Sequence, residues 1–409
     1  MLHDGQSSLR RDLTDSGYYM RITKPVARMP RTLTELRPSL PSTWYYDPAH
    51  YQRELEAIWF RDWVCVGRTD ALESPGDFFT ARIGDQNIIV TRDTGGEIRA
   101  WHNTCRHRGS ILCTNTSGHF RNGRIVCPYH TWTYALDGNL LATPGRLETD
   151  DFHAAEFGLY GVHTDTWQGF IFVNLSDEPA TGLDDFLGDE KQYLANWPLA
   201  DMRSVHRETI SVNCNWKTFW ENYCECYHCP RVHPELGRIM PVYRKAVFDD
   251  ADLPGWQPRF EGDQGHGRVA PSVRSWTLDG TSSLPLLEGP TDEERDAGVA
   301  FTSITGSMYV HGHPDYARSV RVVPRGPEKV ELIVDWLLPI SIGDVSADII
   351  EQITGLARLV ILQDGEACEL NQQGLRSNRF EQGVLVPQEY VLWDFHRWLR
   401  ARLGEPVEI

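Results

Sequence analysis

Apolar residues first fall into a clear rhythm after Asp47-Pro48, where Tyr51, Leu55, Ile58 and Trp59 follow at helical spacing. Asp47 offers an N-cap and Pro48 suits the first helical position, so the pattern predicts a helix within residues 44–61 carrying one buried stripe. Residues 1–43 are polar and interrupted by Pro25, Pro30, Pro38 and Pro41, which predicts an N-terminal extension with little regular structure. From 62 to 175 the pattern shortens to β-rich runs, such as Asn87 to Thr91 and Gly169 to Asn174, punctuated by Gly and Asp. That is the text of a small antiparallel β domain. Residues 176–409 mix strand and helix. Strand-like runs cover Ser319 to Val323 and Val330 to Leu338, and amphipathic helices are predicted from about Ser346 to Gln373 and from about Gln388 to Leu403. The stretch 248–298, rich in Gly, Pro, Asp and Ser, reads as a long insertion or lid. The fold class that follows is α+β.

Composition narrows the partners. A formal net charge of −17 argues against nucleic acid, which needs concentrated Lys and Arg. The 9 cysteines form no compact disulfide framework, and a reducing, cytoplasmic setting is expected. The opening MLHDGQSSLRRDL lacks the apolar core of a signal peptide, and no apolar run approaches the roughly 18 residues needed to cross a bilayer, so no membrane role is expected. No GxGxxG loop encodes NAD or flavin binding.

The chemistry is concentrated between Trp101 and Tyr134, in Cys105-x-His107 and Cys127-x-x-His130. Two thiolates and two imidazoles are the ligand set of a Rieske [2Fe–2S] centre. A structural zinc site would accept the same donors, but zinc sites usually pair Cys with Cys and His with His along the chain. Arg108-Gly109 follows the first pair, Pro128-Tyr129 lies inside the second, and Trp132, Tyr134 and Asp137-Gly138 lie beyond. This segment resembles the Rieske domain of the Rieske non-haem iron oxygenases. It departs from that pattern in a longer stretch from Arg108 to Val126, and in Thr131 where the family commonly has Gly. Electrons for such a cluster would have to come from another polypeptide.

A second constellation lies between Asn215 and Leu236, with His228 and His233 five apart. On an unbroken helix they would splay by roughly 140°. Pro230 disfavours helix at the preceding residue, so the helix is predicted to end near Cys229, with His228 in its last turn and His233 in a returning loop. A non-haem iron site wants a carboxylate as well. Asp364, Glu366 and Glu369 are all candidates, and the residues alone do not choose among them. Cys224, Cys226 and Cys229 cannot all face one ion, because successive helical residues advance about 100°. With Cys214 they read as core or interface thiols. Glu225, three residues before His228, would share its helical face, and by itself reads as a solvated acid.

The same oxygenase family is resembled here too. Its late helix carries the pattern seen at Asp364, Cys368-Glu369, Gln372 and Gly374-Leu375, which implies Asp364 as the third ligand of a mononuclear Fe(II). The family places an acid at the position of Glu225, implying a bridge from His228 to His130 of a neighbouring copy. Glu rather than Asp there resembles the branch acting on quaternary ammonium compounds such as carnitine, glycine betaine and stachydrine. That branch shares the stretches Glu221 to Cys229 and Phe395-His396-Arg397-Trp398. The resemblance implies a helix-grip, START-like catalytic domain and a homotrimer. It implies a terminal oxygenase using O2 and electrons from a separate flavin/iron–sulfur reductase, with or without a ferredoxin. The favoured reaction is hydroxylation of an N-methyl group with demethylation; hydroxylation or dihydroxylation of an aromatic ring is the alternative. A Rieske electron-transfer protein is the reading from outside enzymology. Tyr223 is the aromatic nominated to meet a quaternary cation, with Phe219 and Trp220 behind it.

Overall fold

The computed structural model describes residues 32–258 and 265–407; most of the polar N-terminal extension lies outside them. Within the described part of that extension, Arg37–Pro41 forms a strand antiparallel to Gln382–Leu385. Two prolines are tolerated because the ribbon has two strands, so half of each strand's amides need no partner. The helix expected after Asp47 spans Pro48–Glu54, with the Asp47 carboxylate accepting from the Ala49 amide at 2.9 Å, and continues as a π-helical turn over Leu55–Trp59. It packs on the later half of the chain: Glu54 accepts from the Trp216 indole at 2.8 Å and pairs with Lys217 at 2.6 Å, both fully buried.

A seven-stranded antiparallel sheet follows. Its order is Val64–Arg68, Phe170–Asn174, Gly161–Trp167, Ile98–His102, Gln86–Arg92, Asp77–Ile83 and Ser117–His119. A three-stranded sheet, Arg124–Val126, Thr133–Ala135 and Leu140–Ala142, carries the second Cys/His loop. Side chains alternate across a strand. Ile89 therefore faces a small core with Cys105, Cys127, Ile125 and Tyr134, while Ile88 and Val90 join the large core beneath.

The second half is built on a five-stranded antiparallel sheet in the order Met202–Val212, Lys329–Pro339, Ala317–Gly326, Met308–Gly312 and Ala300–Ile304. One face, through Met202, Met308, Val310, Ala317 and Leu337, packs on Cys65, Phe170 and Phe172 of the first sheet. The other face, with Val320, Val322, Val334 and Trp336, is covered by the helix Ala347–Gly374 and by Trp216–Tyr223. The long helix starts at Ser346, whose hydroxyl caps the Ile349 amide, and buries Ile353, Ala357, Ile361, Asp364, Cys368 and Gln372 in one stripe. The last helix runs Tyr390–Arg402. Segment 248–298 is mostly irregular where described, with short helices at Asp250–Asp252 and Asp292–Ala297, and is held to the turn between the strands Met308–Gly312 and Ala317–Gly326 by Ser275 and Ser282 on Asp315 and by Tyr316 on the Trp276 carbonyl. No helix among the described residues is long and apolar enough to cross a membrane.

Candidate active site

The helix Trp216–Tyr223 begins at Asn215, whose side chain accepts from the Lys217 amide. It ends at Tyr223, six residues earlier than the sequence suggests. Cys224 to His228 form a non-helical turn, and a new short helix, Cys229–Val232, starts with Pro230 in its first turn. Proline belongs there, because a first-turn amide has no intrahelical partner to lose. So Pro230 opens a helix rather than closing one. His228 stands at the N-cap and His233 at the C-cap of that single turn. Both imidazoles can then face one point.

They meet Asp364 there. Its Oδ1 lies 2.8 Å from His233 Nε2 and 3.3 Å from His228 Nε2, and the two Nε2 atoms are 3.2 Å apart. The far nitrogens are committed: His228 Nδ1 lies 2.5 Å from Glu225 Oε1 and His233 Nδ1 lies 2.8 Å from Gln363 Oε1. An acceptor on each Nδ1 keeps the proton there and turns the Nε2 lone pair inward. Two lone pairs and a carboxylate oxygen at such separations need a cation between them. Without an ion, burial works against charge on His228, but the carboxylates of Asp364 and Glu225 outweigh it and lift its pKa to about 10, so a proton on Nε2 holds the place that a metal cation would take. Asp364, although buried, is held below the usual carboxylate range by the two imidazoles. The donor set fits Fe(II) with positions left for other ligands.

Among the three carboxylates, only Asp364 continues the buried stripe of the long helix; Glu366 is exposed, and Glu369 accepts from the amide and side chain of Asn213, each at 2.8 Å. Extending the stripe Ile353, Ala357, Ile361, Cys368 along the sequence would have selected Asp364 from periodicity alone. Glu225 meets His228 as expected but not along a helical face: its carboxylate takes the Tyr227 and His228 amides in the tight turn. Cys226 and Cys229, read as thiols, are joined as a disulfide across that turn, with their Cα atoms 5.0 Å apart. Cys214 and Cys224 are buried thiols.

In the first half of the chain, Cys105 and Cys127 are buried, while the His107 and His130 rings lie 4.7 Å apart towards the surface. The loops are matched: the Gly109 amide donates to Cys105 O at 2.9 Å and the Thr131 amide to Cys127 O at 3.1 Å. Gly109 and Thr131 both have positive φ, +72° and +58°. The Tyr134 hydroxyl lies 3.3 Å from Cys105 Sγ and accepts from the Arg106 amide. His130 Nδ1 is buried with no partner among the described residues. Two adjacent thiols beneath two facing imidazoles, one with an orphaned nitrogen, fit a [2Fe–2S] cluster of the Rieske type.

Beside the His228/His233/Asp364 triad lies a cavity of about 990 Å³, part of it open to solvent. Tyr223 lines it, stacked on Tyr309 at 3.8 Å with its hydroxyl 3.2 Å from Ser303 Oγ. Phe219 does not line it; one turn back on the helix, its ring is buried in the core with Trp216 and Trp220. The sequence reading missed Tyr309, His311, Phe301, Trp276, Arg318 and Gln363. All but Gln363 come from separate strands and from the 248–298 segment, and carry no local signal. Gln363 is marked only by standing next to Asp364.

Comparison with known proteins agrees with this division. Residues 62–154 match the Rieske [2Fe-2S] domain and residues 199–405 the ring hydroxylating alpha subunit catalytic domain. The glycine betaine monooxygenase oxygenase subunit of Chromohalobacter salexigens is 32% identical, over 88% of this chain and 84% of its own length. Chloroplastic choline monooxygenase of Spinacia oleracea is 27% identical over 89% of this chain and 78% of its own. A crystal structure of a quaternary ammonium Rieske monooxygenase shares the fold, with a TM-score of 0.71 and 21% identity over 89% of this chain and 95% of that one. With a Cys/His loop pair at one end and a two-histidine, one-carboxylate centre under the long helix, this chain belongs to the ring-hydroxylating family of Rieske non-haem iron oxygenases.

Proposed function

We propose that this oxygenase hydroxylates an N-methyl group of a small quaternary ammonium compound, which then loses formaldehyde. The observation that carries the reading is the wall of the cavity: Tyr223, Tyr243, Phe248, Trp276, Phe301 and Tyr309 surround the space beside the triad. A quaternary cation offers no hydrogen-bond donor, so ring faces are the groups that attract it. The relatives named for glycine betaine and choline act on such cations and support the assignment.

We assign His228, His233 and Asp364 to the mononuclear Fe(II), and Cys105, His107, Cys127 and His130 to the Rieske cluster. When bound, these groups supply O2 activation and the electrons it consumes. The chain's own part is positioning. Glu225 and Gln363 fix the two imidazole tautomers, and the aromatic wall excludes water and holds the cation with a methyl towards the triad. Overall, the methyl carbon gains a hydroxyl while O2, two electrons and two protons yield one water. The resulting carbinolamine breaks its C–N bond, releasing formaldehyde and the tertiary amine.

Electrons come from a reductase partner, as in the family; we propose a flavin/iron–sulfur reductase. Glu225 has a further role in our reading, linking His228 to His130 of a neighbouring copy in a homotrimer. In support, no hydrogen bond joins Glu225 to His130 within the described chain, and the half-buried His130 ring reaches the surface while its buried Nδ1 is left for the cluster.

The test is a formaldehyde assay of the reconstituted holoenzyme with a reductase, comparing small quaternary amines with aromatic acids. Formaldehyde together with the demethylated amine is the expected result. A hydroxylated or dihydroxylated ring product, with no turnover of any quaternary amine, would overturn it.

A further inference from the structure

Arg318 is an unusual residue for its position. It lies on the strand Ala317–Gly326, on the face that also carries Val320 and Val322, and is only 6% exposed. It forms no ion pair with any described carboxylate. Its Nη2 donates to His311 Nδ1 at 2.7 Å, its Nε is buried with no partner among the described residues, and Nη1 makes no hydrogen bond among them. His311, itself buried, is kept neutral by that burial and by the adjacent guanidinium, so it accepts a hydrogen bond but supplies no counter-charge. A buried guanidinium is stable only where an anion or a full set of acceptors meets it. Neither is present within the described chain, yet Arg318 lines the same cavity as the metal triad.

The cavity's own acids do not answer it. Asp364 is held by His228 and His233, and Glu225 by His228 and the turn amides. The rings beside Arg318 are those proposed for the cation. His311, its partner, lies 5.2 Å from Tyr309, 5.7 Å from Phe301, 6.1 Å from Tyr223 and 6.3 Å from Trp276 between ring centroids. An anion anchor and cation-binding faces thus share one short stretch of wall.

We propose that Arg318 binds the carboxylate of the substrate, so that the cavity selects a compact betaine, a quaternary ammonium carboxylate, over an amino alcohol bearing the same cation. The assignment rests on the quaternary ammonium reading and adds the second charge. A guanidinium fork meets a carboxylate through two parallel hydrogen bonds, an arrangement that a hydroxyl cannot reproduce.

Binding of glycine betaine, choline and tetramethylammonium to the holoenzyme, by calorimetry, tests it. The wild-type protein should hold glycine betaine at least about tenfold tighter than choline. Arg318→Gln should weaken glycine betaine roughly 10- to 100-fold and leave tetramethylammonium within about threefold. Arg318→Lys, which keeps the charge but not the fork, should fall between. Equal wild-type affinity for glycine betaine and choline, or an equal loss for all three ligands in Arg318→Gln, would overturn the role of Arg318 while leaving the cation reading intact. Binding of none of the three by the wild-type protein would remove the quaternary ammonium reading and this assignment with it. Should Arg318→Gln lose its Rieske absorption, the wild-type comparison and Arg318→Lys decide the matter.

Discussion

At His228 the two ring nitrogens have different partners and different tasks. Nδ1 is held by Glu225, and Nε2 faces Asp364 and His233. His228→Ala should therefore remove the mononuclear iron and turnover while sparing the Rieske absorption, with iron falling from about three to about two per chain, since the cluster's ligands lie elsewhere. Loss of the absorption would show that the two centres are not separable in this way. Glu225→Gln poses a subtler question. The amide still accepts from Nδ1–H, so both metals should stay bound while reoxidation of the reduced cluster slows in a single turnover. Unchanged kinetics would leave Glu225 a purely local support. His228 was legible because two histidines so close together, beside a Cys/His loop pair, are a rare combination, whereas Glu225 read by itself as a solvated acid and gained a role only through the family resemblance. Arg318 was not legible, since one arginine in a strand looks like any other until its burial and missing partner are seen.

Loops and helix ends set what each element presents. Thr131 occupies a left-handed backbone position matched by Gly109 in the sister loop, and a β-branched residue is strained there. Thr131→Gly should raise stability by about 0.5–1 kcal/mol, the relief of strain being partly offset by glycine's freedom when unfolded. Thermal unfolding monitored through the cluster absorption would measure it; a loss of similar size would mean that the Thr131 hydroxyl, bonded to His130 O, matters more than the strain. Glu190 sits in the turn Gly188–Gln192 against the strand Ala300–Ile304, accepting from the Thr302 hydroxyl at 2.8 Å. Burial pushes its pKa up from 4.5 to about 7. The folded state thus holds this proton more tightly than the unfolded one, so stability from this group is lost as pH rises from about 4.5 to about 7 and is level above. Glu190→Gln should match wild type at the acid end and exceed it by roughly 3 kcal/mol above pH 7. A melting-temperature difference that does not grow with pH through this window would contradict that. Element boundaries also show where local reading fails. Pro230, which the local pattern predicts to stop a helix, instead starts one, because proline's missing amide costs nothing in a first turn.

In the whole molecule, the two centres are joined by packing rather than by sequence. The five-stranded sheet presents one face to the cluster-bearing half and the other to the helix that carries Asp364. If the path from His130 to Glu225 runs between copies, two defective chains should complement each other. Co-expressed His228→Ala and His107→Ala chains are expected to turn over at a fraction of the wild-type rate, although each is inactive alone. Inactive mixed assemblies would place the path within one chain. By itself the sequence determined the α+β division, both Cys/His loop pairs, the long helix and the two histidines of the second site, because each is written in local spacing or in a stripe repeated along one helix. The tertiary structure decided which carboxylate meets the histidines, which tautomers they hold, that Cys226 and Cys229 join, and what lines the cavity. Those facts depend on strands and a loop brought together from distant parts of the chain. A side chain's burial, and the partner it finds or lacks, exist only once that packing is made.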